Sequence, residues 1–155
     1  MGFVALLKNP VHLFAFGLGS GLAPYAPGTA GTVAAVLIYA LLPEFSLEIN
    51  LLIIFASFLL GVYLCGKTAV DLGVHDHSGI VWDEWVGYFI TVIWFPKQWP
   101  WLVAGFILFR FFDIVKPWPI SWLDRQVDGG LGIMLDDVLA GIFAALVLLF
   151  ISPYL

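Results

Sequence analysis

Charge is what this chain has least of: 6 basic and 11 acidic residues among 155 leave it 11% charged. A soluble domain carries about a quarter charged residues, so a water-facing surface cannot be built from this complement. Cysteine is almost missing too. Cys65 stands alone, which excludes a disulfide-stapled secreted module, and inside an apolar run it reads as a small buried hydrophobe. The few basic residues exclude a nucleic-acid binder, which needs a clustered basic face. No Cys or His spacing suits zinc, since His75 and His77 are only two apart in a loop. Residues 1–10 contain one basic residue, Lys8, and no small-residue cleavage site, so no removable signal peptide is expected. No long polar linker or repeat divides residues 1–155, which are read as one domain.

What is present is apolar. The chain is 62% hydrophobic and 17% aromatic, with a mean hydropathy of +1.03, so most of it must face lipid. Apolar runs predict about five spanning helices, near residues 29–42, 49–66, 80–95, 101–115 and 133–152. Several fall short of the roughly 20 residues a bilayer prefers, and would thin it locally or extend into flanking turns. Residues 11–22 are apolar but rich in Gly and lead into Pro24 and Pro27; they suit an interfacial or re-entrant piece better than a span. The expected fold is therefore all-α: a polytopic membrane helix bundle with about five spanning helices and an N-terminal interfacial or re-entrant segment. With the N-terminus inside, Lys8, Lys67, Lys116 and Arg125 fall on the cytoplasmic side and Arg110 near it, against Lys97 outside. Trp99, Trp101, Trp118 and Trp122 flank helix ends, where indole rings anchor at the headgroup level.

This topology gathers the scarce acids. Asp83 and Glu84 start the third run, Arg110, Asp113 and Lys116 end the fourth, and Asp136 and Asp137 start the fifth, all toward the cytoplasmic side. A charge at the bilayer centre costs on the order of 3 kcal/mol even on a lenient scale, so such residues face the bundle interior and mark a site. Five carboxylates converging there repel one another unless a cation holds them, and oxygen ligands suit Mg²⁺ first. The blander account is a helix-end ion ladder of Arg110, Asp113 and Lys116. Small residues one turn on, Gly87 after Asp83-Glu84 and Ala140 and Gly141 after Asp136-Asp137, let neighbouring helices approach closely. Thr29 and Thr32 in Gly28-Thr29-Ala30-Gly31-Thr32 lie at the start of a helix whose N–H groups and dipole suit a phosphate-sized anion. Carboxylates, cations and a helix N-terminus at one membrane face make a kit for phosphoryl chemistry on a lipid headgroup.

Four blocks carry a resemblance: residues 20–32 (SGLAPYAPGTAGT), 80–87 (IVWDEWVG), 109–119 (FRFFDIVKPWP) and 128–141 (DGGLGIMLDDVLAG). Their order and span, nearly the whole chain, closely resemble bacterial phosphatidylglycerophosphatase A. The resemblance implies a multi-pass, Mg²⁺-dependent lipid phosphatase of the bacterial inner membrane, active at the cytoplasmic face, that takes its phospholipid substrate from the membrane. The family's Pro-Gly-Thr block falls on Pro27, Gly28 and Thr29. Its Asp-Glu pair falls on Asp83 and Glu84, its Asp-x-x-Lys-Pro on Asp113, Lys116 and Pro117, and its Asp-Asp on Asp136 and Asp137. A further family acid corresponds to Asp76, here beside His77 rather than the proline expected.

On this basis Asp83, Glu84, Asp136 and Asp137 are expected to hold Mg²⁺. Arg110 and Lys116 would neutralise the phosphate and Thr29 and Thr32 bind its oxygens, while Asp113 would act as base or orient Lys116. Whether water or a carboxylate attacks phosphorus stays open. A phospholipid headgroup transferase would show Asp-Gly-x-x-Ala-Arg, whereas Asp128-Gly129 continues Gly130-Leu131-Gly132. A small cation carrier would spread its ionisable residues through the depth of the bundle.

Overall fold

Among the described residues, 3–155, the computed structural model of the chain is wholly helical. Its helices are α1 (Phe3–Lys8), α2 (Pro10–Ala15), α3 (Pro27–Leu41), α4 (Leu47–Leu72), α5 (Trp82–Val92), α6 (Trp99–Val115), α7 (Ile120–Gln126) and α8 (Gly129–Ile151). The all-α expectation holds, but the expected number of spans needs correction. Two stretches, α4 and Gly129–Tyr154, are long and apolar enough to cross a membrane by length and composition. The other three runs give helices of only 15, 11 and 17 residues for α3, α5 and α6. An apolar run overstates a helix wherever non-helical chain is buried: Ile80 and Val81 are almost fully buried yet precede α5.

Hydropathy also errs in the other direction. The run expected to end at Gly66 continues as helix to Leu72, because Lys67 and Asp71 pair one turn apart at 2.5 Å. Gly73, at φ 71, then stops α4 in the left-handed conformation that glycine adopts without strain. α8 begins at Gly129, so Asp136 and Asp137 sit two turns inside it rather than at its start. α7 lies between the apolar runs 101–115 and 133–152, where no spanning helix is expected.

The N-terminal piece folds onto α4 and the start of α5. His12, 1% exposed, shares a hydrogen bond of 2.8 Å with the Thr68 hydroxyl, and its other ring nitrogen lies 3.2 Å from Asp71. The Val81 amide donates to the Ala15 carbonyl at 2.8 Å, and Phe16 is buried beside Ile80. Residues 11–22 are thus partly covered by protein, with His12, Ala15, Phe16, Gly17 and Gly21 buried and Phe14 and Leu18 exposed. Cys65 is buried with its sulfur 4.0 Å from that of Met134, a packing role.

α5 and α8 meet at glycine. A Cβ on Gly141 would collide with the Gly87 carbonyl oxygen, and one on Gly87 would stand 2.7 Å from the Asp137 carbonyl oxygen. The Thr91 hydroxyl lies within 3.2 Å of the Gly87 and Gly141 carbonyls it bridges. Backbone contact of this kind sets how closely the Asp83-Glu84 and Asp136-Asp137 pairs approach. Gly87→Ala must push the helices apart, at a cost of about 1–3 kcal/mol. Thermal unfolding in detergent should show a lowered midpoint; an unchanged midpoint would mean that the contact is slack.

Candidate active site

Two helix starts, one helix end and a stretch two turns inside α8 converge on a pocket of about 290 Å³. α3 contributes Pro27 and Gly28, α5 Asp83 and Glu84, α6 Arg110 and Asp113, and α8 Asp136 and Asp137. Lys116 follows α6, and Asp76 and His77 lie on the loop between α4 and α5. Every charged residue singled out from the sequence as a site residue is therefore on the wall of one pocket. The two threonines are not. Thr32 is fully buried and its hydroxyl donates to the Gly28 carbonyl at 2.8 Å, so its hydrogen is already committed. In place of Thr29 the wall presents Gly28, whose missing side chain matters: a Cβ there would lie 3.0 Å from Glu84 Oε1 and 3.2 Å from both terminal nitrogens of Arg110.

Asp83, Glu84, Asp113, Asp136 and Asp137 are all buried. Two cations offset part of this charge. Arg110 Nη1 bonds to Asp113 and lies 3.7 Å from Glu84. Lys116 Nζ donates to Asp136 at 2.6 Å and lies 3.6 Å from Asp113. Burial alone would lower the Lys116 pKa, but Asp136, Asp137 and Asp113 outweigh it and hold the ammonium well above its ordinary value. Lys116 reaches this place from a left-handed backbone, φ 50, at the C-cap of α6.

Positive charge is still short. Asp83 Oδ1, Glu84 Oε2, Asp136 Oδ1 and Asp137 Oδ2 are buried with no hydrogen-bond partner among the described residues. One ligand oxygen from each of Asp83, Asp136 and Asp137 lies within 4.8 Å of the others, and Glu84, Asp113 and Asp137 form a second such group. Two oxygens bound to one Mg²⁺ at about 2.1 Å stand at most about 4.2 Å apart, so small side-chain rotations suffice to bring the first group into range. Buried carboxylates at that spacing, each of the first group with an oxygen that has no partner among the described residues, are a donor set for a hard divalent cation. The first group fits better, because Arg110 already serves the second. Asp113 is one of the five carboxylates expected to converge, though not one of the four expected ligands; His77 on the pocket wall is not expected from sequence, although its place beside Asp76 is a signal.

A family model described as Phosphatidylglycerophosphatase A matches residues 13–152. The chain is 49% identical over 149 residues to phosphatidylglycerophosphatase A of Escherichia coli, covering 96% of this chain and 87% of that protein. It is also 49% identical over 152 residues to the Haemophilus influenzae protein of that name, covering 96% and 93%. A Bacteroides thetaiotaomicron protein provisionally named phosphatidylinositol-3-phosphatase is 39% identical over 150 residues, covering 89% and 92%. No solved structure matches.

Proposed function

Because this chain belongs to the phosphatidylglycerophosphatase A family, we infer that it hydrolyses the terminal phosphate monoester of phosphatidylglycerophosphate, giving phosphatidylglycerol and phosphate. The observation that carries this reading is the set of unpartnered carboxylate oxygens beside Arg110 and Lys116 in one pocket. An acidic wall alone would repel a phosphate; with a divalent cation on it, the same wall binds one.

Asp83, Asp136 and Asp137 are the residues that would hold Mg²⁺, with Glu84 completing the set. Bound there, the ion would neutralise charge developing on the phosphoryl oxygens. The chain's own residues do the rest. Arg110 Nε has no partner among the described residues and is placed to donate to a phosphate oxygen. Lys116, anchored on Asp136, offers its remaining ammonium hydrogens and charge. The first-turn amides of Gly28 and Thr29 point along the positive end of α3, since Pro27 precedes them and no side chain caps this end among the described residues. Asp113, between Arg110 and Lys116, fixes the positions of both.

The same reading places the bundle in the bacterial inner membrane with the pocket at the cytoplasmic face. Broad apolar exposure supports the placement in a membrane, as at Leu52 (68%) and Phe55 (62%) on α4 and Phe150 (80%) on α8. Of the shorter helices, α5 packs against both long helices, α6 against α8, and α3 against α5 and α6. The test is phosphate release from phosphatidylglycerophosphate by purified protein with Mg²⁺ and with excess chelator. Release with Mg²⁺ and loss in chelator is the expected pair. No release from any lipid phosphate would refute the activity, and undiminished release in chelator would refute the metal.

A further inference from the structure

α5 has two faces. Asp83 and Glu84 look into the pocket, whereas Trp82, Trp85, Val86 and Phe89, at helical spacing, line a different cavity of about 180 Å³. Its far walls are Ile38 of α3 and Ile54 and Ser57 of α4, and its lining is almost wholly apolar. The two cavities share the first turn of α5, so Asp83 and Glu84 are chain neighbours of the two tryptophans. From that turn the groove runs away from the charged end: Ile38 lies ten residues beyond Gly28, roughly 15 Å along α3.

The tryptophans are fixed. The Trp82 indole N–H donates to the Ser57 carbonyl at 3.0 Å and that of Trp85 to the Gly31 carbonyl at 2.9 Å, while their rings pack 5.4 Å apart. Each ring is thus tied to a different wall, and neither can swing in to fill the gap. A groove whose walls are held apart, that is almost wholly apolar and that flanks the same first turn of α5 as the charged pocket, matches a molecule with a charged head and a hydrocarbon tail.

We propose that this groove between α3, α4 and α5 is a slot for one acyl chain of the substrate, which makes Trp82, Trp85, Ile38 and Phe89 determinants of substrate positioning. The slot rests on the lipid phosphatase reading above. Its volume takes the upper part of one chain, and the remainder lies in the surrounding lipid. Ordinary membrane lipid filling the groove is the competing occupant, and it would leave catalysis indifferent to the shape of the slot.

The measurement compares phosphatidylglycerophosphate bearing hexadecanoyl chains with the same lipid bearing butanoyl chains, both dissolved in detergent micelles. Ile38→Trp, which fills the slot, should lower the long-to-short ratio of kcat/KM about tenfold, the effect of losing a few methylene contacts. Most of the loss should appear in KM. An unchanged ratio in an active variant would overturn the slot. If Ile38→Trp is inactive on both lipids, Ile38→Ala decides: the widened slot should shift preference toward methyl-branched chains, and an unshifted preference overturns the proposal. A wild-type protein that releases phosphate from neither lipid refutes the phosphatase reading instead.

Discussion

Asp137→Asn is expected to cut phosphate release about 10³-fold, the scale of removing one preorganised electrostatic group from an active site. In protein stripped of divalent metal it should do the opposite to stability and raise the midpoint of thermal unfolding. Both effects follow from one position. Asp137 is 1% exposed, belongs to both groups of clustered carboxylates, and has an oxygen with no partner among the described residues. Without metal, its charge is buried among like charges, a cost that neutral Asn removes at nearly constant volume. With metal, the same charge is what binds the ion, so added Mg²⁺ should raise the midpoint of the wild type and shift that of the variant much less. Thermal melts with and without Mg²⁺ and the phosphate assay check the two halves separately. A variant that keeps its activity, or a metal-free melt that moves down, would contradict the site.

Lys116→Met should lower kcat about 10²-fold or more, and Lys116→Arg should recover only part of the loss. The Lys116 ammonium holds Asp136 in place at 2.6 Å and faces the pocket. Methionine keeps the length and removes the charge, leaving Asp136 and Asp113 less compensated. The pH dependence carries a sign. The Lys116 pKa lies above the ordinary lysine value, so its ion pairs are intact below that value and are lost only as pH rises through the higher folded pKa. The wild-type rate profile should therefore show no lysine limb up to about pH 10, and no pH should restore the methionine variant. A wild-type alkaline limb that Lys116→Met abolishes would show instead that the ammonium titrates within the working range.

The site was far more legible than the helix lengths. In so apolar a chain each acid is conspicuous, and carboxylates at the ends of three separate runs can be assigned to one face from topology alone. Gly87 and Gly141 were readable for a similar reason, since a small residue one turn from a buried acid signals that another helix must come close there. Helix ends were harder, because hydropathy reports what is buried or lipid-facing and not what is helical. Ile80 and Val81 are buried without being helical, while Lys67 and Asp71 are polar without ending α4. Thr32 shows a further limit: whether a hydroxyl faces a ligand or its own helix is decided by a rotamer, and its bond to Gly28 leaves no trace in sequence. The His12 contact with Thr68 and Asp71 joins residues more than fifty apart, beyond the reach of any local pattern.

The backbone at Lys116 sets the fold against the chemistry. A left-handed C-cap is a place where glycine relieves strain, and a side chain there costs on the order of 1 kcal/mol. If stability alone were selected, in a screen for heat resistance or expression, glycine at this position would be an easy winner, and the selected protein would have lost the ammonium that lines the pocket and bonds Asp136. On the proposed role of Lys116, that strain serves the site rather than the fold, and stabilising this protein by consensus or by screening should leave the residue untouched.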